Sequence, residues 1–417
     1  MKQRRRVVWP ALFAMLLGLF CQTSAAQTGG HHILLTGQVM LQHNLATYDA
    51  PGYANNVELQ KIRRQLDSVF ALMRSSDTVI LELESALKID STQAREVEPG
   101  RDKDSDFFHE VDRDSIVDLI TRKIRFAPNQ AMFAAANNHV SDNGVPGITS
   151  LITLFQDLNI PLAGVGDELA ASAPRYLPVK SGKLPGQQLA SVALIAFATD
   201  KVKLQAKKTA VGVNTLSVTD DTANTVNSED RQRIEQSIAK ARKQQAIVVA
   251  YHHNHHWNQK QVNLAGGIEQ WRLDFAHYCI ERGADVYFSH GEPRLQGIEI
   301  YQGKPIFYGL GNFFFQTRKV NFYQPEVWES VMAELEYDDA NPHTIRSIKL
   351  TPVVLNENGA QAVFMQTRGL PALADDAQAR KILTTLQSLS EKFGTRIDID
   401  DSNPAAIVGR IRIAKAS

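Results

Sequence analysis

The stretch Ala250-Tyr-His-His-Asn-His-His-Trp257 places four histidines and an asparagine in five consecutive positions of a chain with twelve histidines. It follows directly on the apolar run Ala246–Val249. Neutral imidazole is a common ligand for zinc, manganese and iron, so a run of this kind at a strand end is a candidate metal wall. If the backbone stays extended, alternation puts His253 and His255 on one face and His252, Asn254 and His256 on the other. Two imidazoles two positions apart can then address one ion. The competing reading is a polar loop whose histidines only hydrogen-bond.

Three further polar clusters end apolar runs: Gln38 after Leu34-Leu35-Thr36-Gly37, Glu82-Leu83-Glu84 after Asp77–Leu81, and Asn137-Asn138-His139 after Ala136. Ser289-His290-Gly291 ends a later run and joins the histidine stretch as a fourth cluster. Taken singly, these are ordinary features: a helix cap, a solvated glutamate, a histidine on a backbone carbonyl. Their recurrence at successive strand ends, where α/β folds carry their sites, assembles a carboxylate, an amide and several imidazoles. Cysteine contributes nothing, because Cys21 lies in the N-terminal leader and Cys279 is then alone.

The elements that must position these residues alternate between short apolar runs and amphipathic stretches. Strands are expected at 32–37, 78–83, 131–136, 191–198 and 246–250, with helices at 57–73 and 145–158. Asn227-Ser-Glu-Asp230 offers a helix cap with an acidic first turn, and Ile234, Ile238 and Ala241 stripe the helix behind it. Residues 201–228 are polar and aperiodic and read as a surface excursion. Trp271, Phe275 and Cys279 stripe the next helix, read as core, and Gly283 ends it. Strand-like runs then follow at 285–288, 298–301, 306–308, 330–337 and 345–354, with a final helix near 375–393. The order predicts an α/β sandwich rather than a purely doubly wound sheet.

At 417 residues the chain has the length of one large domain or of two or three smaller ones, with 22% charged residues. Residues 1–26 have a basic start, an apolar stretch at 11–20 and small residues at 24–26, the layout of a secretory signal peptide. Its apolar core is too short for a stable span, so the mature chain is expected to lack a transmembrane anchor and to lie in the periplasm or outside the cell. The Gln3-Arg-Arg-Arg-Val-Val8 run also fits a twin-arginine signal loosely, so the export route stays open. Removing the leader takes away four cations and no acid, leaving 41 basic residues against 45 acidic. That balance, without a basic stripe, excludes a nucleic-acid partner.

The wording of the clusters carries a resemblance. LLTGQVMLQHNL, DTVILELESAL, AANNHVSDNGVPGI, PLAGVGDELAASAPRYL, GADVYFSHGEPRLQGIEIYQGKPIFYGLGNFFFQ and VWESVMAELEY resemble the CapA-like capsule-synthesis family of poly-gamma-glutamate biosynthesis, within the calcineurin-like metallophosphoesterase superfamily. The match covers roughly residues 33–338. It implies a four-layer α/β/β/α sandwich, with a family domain at 30–372 followed by a C-terminal helical extension at 373–417. It also implies metal ligands at Glu84, Asn138, His253, His255 and His290, with His252 as the alternative register, and His139 as the acid that protonates a leaving group.

Three stretches depart from the family pattern. Gln38 stands where the family has a metal-bridging aspartate, and Gly-His-x-Pro-His becomes Ser289-His-Gly-Glu-Pro293. Asn-Leu-Glu appears as Glu82-Leu83-Glu84. The expected cofactor is therefore one divalent transition metal (Mn, Fe or Zn) rather than a bridged pair. The expected function is a metal-dependent hydrolase of an ester or amide bond in an anionic or cell-envelope polymer. The alternative is a non-catalytic accessory protein for making, exporting or retaining such a polymer, working in a synthesis complex.

Overall fold

The computed structural model describes residues 30–413 apart from 44, 46–54, 90–108, 180–190, 220–223, 257–266, 339–340 and 404–405. The leader expected at residues 1–26 lies outside the described residues. The fold is mixed α/β, with a ten-stranded and a six-stranded sheet, two two-stranded ones and eight α-helices among the described residues.

The ten-stranded sheet is built on β1 (His32–Met40), β2 (Thr78–Leu83) and β3 (Ala131–Ala134), which run parallel. All six residues of β2 are buried, as expected of a parallel strand covered on both faces, with apolar Val79–Leu81 at its centre and Glu82 near its end. Between β1 and β2 runs α1 (Val57–Ser75). Its cap is Asn56, whose side chain accepts from the Leu59 amide, and it buries Leu59, Ile62, Leu66, Val69, Phe70 and Met73 at helical spacing. A second helix, α2 (Gly144–Asp157), follows β3.

The six-stranded sheet centres on β4 (Ser191–Thr199), β5 (Ile247–Asn254) and β6 (Val286–His290), again parallel. Alternation divides β4 and β5 cleanly. Val192, Leu194, Ala196, Ile247, Val249 and Tyr251 share one apolar core with the ten-stranded sheet. Ala193, Ile195, Phe197, Val248 and Ala250 face the other way, into a second core. There they meet Ile234, Ile238 and Ala241 of α3 (Ser228–Lys243) and Trp271, Phe275 and Cys279 of α4 (Gln270–Glu281). The expected cap holds: Asn227 Oδ1 accepts from Glu229 and Asp230 amides at 3.0 Å each.

Two segments differ from the sequence reading. The polar stretch 201–228 is not wholly a surface excursion, since Gly212–Val213 pairs with Val165–Gly166 and Val213 and Leu216 are buried. The C-terminal part carries the expected helix at Asp376–Glu391, but it also adds strands. Val408–Arg412 pairs with the long strand Asn341–Leu355 and Asp398–Asp400 pairs with it in turn, so this segment completes the ten-stranded sheet.

Candidate metal centre

β5 continues through Asn254, so His252 and His253 lie inside the buried strand, while His255 and His256 are half-buried just past its end. Alternation therefore decides the register. His253 falls on the side of Tyr251, facing the ten-stranded sheet, while His252 falls on the side of Ala250, facing α4. The His252 ring stacks on Phe197 at 4.9 Å and meets Trp271 edge-on at 6.0 Å. Both its nitrogens are engaged, with Thr199 Oγ1 at 2.7 Å and Tyr287 Oη at 2.6 Å. His252 is a satisfied core residue. Replacing it with leucine strands both hydroxyls, so we expect a stability loss of about 2–4 kcal/mol. Chemical denaturation reads that loss, and metal stoichiometry should be unchanged.

Opposite His253, the ends of β1 and β2 present Gln38 and Glu82 in register. Glu84 follows, its amide donating to Val39 O at 2.8 Å, which keeps the chain against β1 beyond the end of β2. The backbones crowd here: a Cβ on Gly37 would lie 2.4 Å from Gly311 O, so only glycine permits the approach. On the other sheet, Gly291 follows His290 with φ of 112° and packs on the Asn254 carbonyl.

Ligand-type atoms of Glu84, His253 and His255 lie within 4.8 Å of one another. His253 Nε2 is 3.5 Å and His255 Nε2 3.9 Å from Glu84 Oε1. Asn138 Oδ1 lies 2.9 Å from His253 Nε2, a spacing that two ligands of one ion would also show. Four of the five expected ligands thus meet. His290 is the register partner of His253 on β6 but is not in the three-residue cluster. Its ring packs near Tyr251 and Phe288, and both nitrogens are buried with no hydrogen-bond partner among the described residues.

The Asn-Asn-His cluster divides its labour. Asn137 is structural: its oxygen caps the His139 and Val140 amides at 3.0 and 2.8 Å. Its amide donates to Glu82 Oε1 and Leu83 O, both at 2.7 Å. His139 Nδ1 is held by Asp142 Oδ2 at 2.9 Å, while its Nε2 lies 3.9 Å from Glu84 Oε1. The sequence reading missed His109, whose ring meets that of His139 edge-on at 4.4 Å and whose Nδ1 bonds the Gln42 amide. A lone histidine in Phe-Phe-His-Glu carries no signal of such a place.

Burial pushes the Glu82 and Glu84 carboxyls well above the usual carboxylate range, and each is raised further by a neighbouring acid, Glu84 and Asp142 respectively. Burial equally depresses His253 and His255, and takes His290 down to about 3. The imidazoles are therefore held neutral, with lone pairs ready to bind, beside the raised carboxyls. Glu84 Oε2 is itself buried without a hydrogen-bond partner among the described residues. This donor set of nitrogen and oxygen atoms fits one divalent transition ion.

A family model described as "Bacterial capsule synthesis protein PGA_cap" matches residues 32–317, which include every residue of the cluster. The chain belongs to this capsule-synthesis family. Among relatives, an uncharacterized protein, y4sH, of Sinorhizobium fredii is 26% identical over 373 residues, covering 67% of this chain and 75% of its own. A "Probable polyglutamine synthesis accessory protein" of Mycobacterium tuberculosis is 24% identical over 281 residues, 66% of each chain. The "PGA biosynthesis protein CapA" of Bacillus subtilis is 28% identical over 188 residues, 45% of this chain and 43% of that one. The PGA_cap match ends just beyond Gln316, whose side chain accepts from the Gln42 and His43 amides at 2.8 Å each beside the site.

Proposed function

We propose that this PGA_cap protein is an exported, metal-dependent hydrolase that cleaves an ester or amide bond in an anionic surface polymer such as poly-gamma-glutamate. The observation that carries the reading is the convergence of buried Glu84 and His253 with half-buried Asn138 and His255 beside a histidine, His139, that is oriented by an aspartate. Glu84, Asn138, His253 and His255 would hold the ion, which supplies polarisation of the scissile group and a more acidic bound water. His139 delivers a proton to the leaving group from Nε2, the nitrogen that Asp142 leaves facing the cluster. We read the stacking of helices on the two sheets as the four-layer sandwich of metallophosphoesterases, with residues 30–372 as the family domain.

One observation favours a second reading, a non-catalytic accessory role in polymer synthesis or export. Gln38 spends its amide oxygen on the Gly291 amide at 3.1 Å, as a structural tie between the two sheets where the family carries a bridging acid. No helix of the described residues is long and apolar enough to cross a membrane. The deciding experiment uses untagged protein recovered from the producing cell's periplasm or medium. We expect an N-terminus near Ala26–Thr28 and about one equivalent of Mn, Fe or Zn by elemental analysis. An intact Met1 on a cytoplasmic product would end the export reading. Metal-free protein after transition-metal supplementation would favour the accessory role.

A further inference from the structure

We propose that Glu82 is a positioning residue for this centre, holding the His253 ring through the Tyr251 hydroxyl so that Nδ1 carries the proton and Nε2 is free for the ion. The proposal rests on the metal reading above and adds to it a residue outside the ligand set.

The geometry is that of an outer layer behind a ligand. His253 turns Nε2 toward Asn138 and Glu84, at 2.9 and 3.5 Å. Its other nitrogen, Nδ1, faces the opposite way, 3.3 Å from Tyr251 Oη and 3.6 Å from Glu82 Oε1. The Tyr251 hydroxyl also bonds the Glu82 carboxyl. All three side chains are fully buried, so no solvent competes for these positions. Glu82 is itself pinned by the Asn137 amide at 2.7 Å, and that same asparagine caps the turn carrying His139.

A neutral imidazole has one proton for two nitrogens, and the partner of one nitrogen decides the role of the other. With Nε2 on the ion, Nδ1 keeps the ring proton and donates it to the Tyr251 oxygen, and the tyrosine hydroxyl donates in turn to a Glu82 carboxyl oxygen. Nε2 then presents its lone pair. The neighbouring strand cannot supply this acid, because Gln38, in register with Glu82, is neutral and committed to Gly291. An acid buried at Glu82 is costly unless such partners use it.

The test is titration of the metal-free full-length mature protein with Co²⁺ alone, followed by its visible absorption, for wild type, Glu82→Gln, Tyr251→Phe and the double variant. Each single change should weaken Co²⁺ binding by about 10–100-fold. The double variant should lose no more than the weaker-binding single variant, because both act along one path, and the bands should shift as His253 leaves the ion. Unchanged affinity in both single variants overturns the proposal. So do losses that multiply in the double variant with an unshifted spectrum, which is the behaviour of two independent packing defects. Should Glu82→Gln not fold, Tyr251→Phe decides alone, and wild-type affinity there overturns the proposal. A wild type that takes up no Co²⁺ removes the metal reading itself, a result distinct from tight binding that ignores Glu82.

Discussion

Glu84→Gln should cost this protein its metal while leaving the fold intact. Glu84 sits within reach of His253 and His255 and is the acid of the three-residue cluster. A carboxylate beside a cation at ~4 Å is worth about 4 kcal/mol per unit of metal charge at an effective dielectric of ~20. The amide keeps the shape but not the charge, so affinity should fall by roughly a thousandfold or more. The metal-free fold should hardly notice, since burial and the Asp142 charge raise the Glu84 carboxyl and favour its neutral form. The sign of the pH dependence follows. Binding must expel that proton, so affinity should keep rising at pH values where an ordinary glutamate has already ionised. His253 and His255, depressed by burial, do not compete for protons in this range. Elemental analysis after dialysis and Co²⁺ titration at several pH values measure both effects. Wild-type metal content in the variant would remove Glu84 from the centre.

His139→Ala should instead leave metal binding unchanged and slow turnover by orders of magnitude. His139 lies at the edge of the cluster, its Nε2 3.9 Å from Glu84 Oε1, and it is not one of the three grouped residues. General-acid help of this kind is worth about 10²–10⁴-fold in rate. The expected result is therefore a fall in kcat of that order on a chromogenic phosphodiester or a γ-glutamyl anilide, with metal stoichiometry unchanged. Asp142→Asn should cause a smaller loss, because the imidazole keeps its place but loses the carboxylate that orients it through Nδ1. Loss of metal together with activity would make His139 a ligand rather than an acid. Full activity with bound metal would pass the proton-donor role to another group, and His109 against its ring would be the first to replace.

Local pattern determined a good deal of this protein. The six-residue β2 strand, the Asn227 cap and the Trp271–Phe275–Cys279 stripe are set by neighbours within a few positions, and they are as read. The separation of His253 from His252 was also legible as alternation, because side-chain period is a property of extended backbone alone, and His255 joins His253 from just past the strand. Which of the two faces belongs to the site was not. That depended on which sheet or helix lies across β5, and only tertiary packing put Tyr251 and His253 against the ten-stranded sheet and His252 against Phe197, Trp271 and Phe275. The same holds for Glu82, His109 and Gln38. Their partners lie far away in sequence, at positions such as 253, 139 and 291, and no spacing rule spans such intervals. The C-terminal strands were hidden for a related reason. Short segments such as Asp398–Asp400 have no core of their own and become strands only against an edge already formed by Asn341–Leu355 and its partner Val408–Arg412.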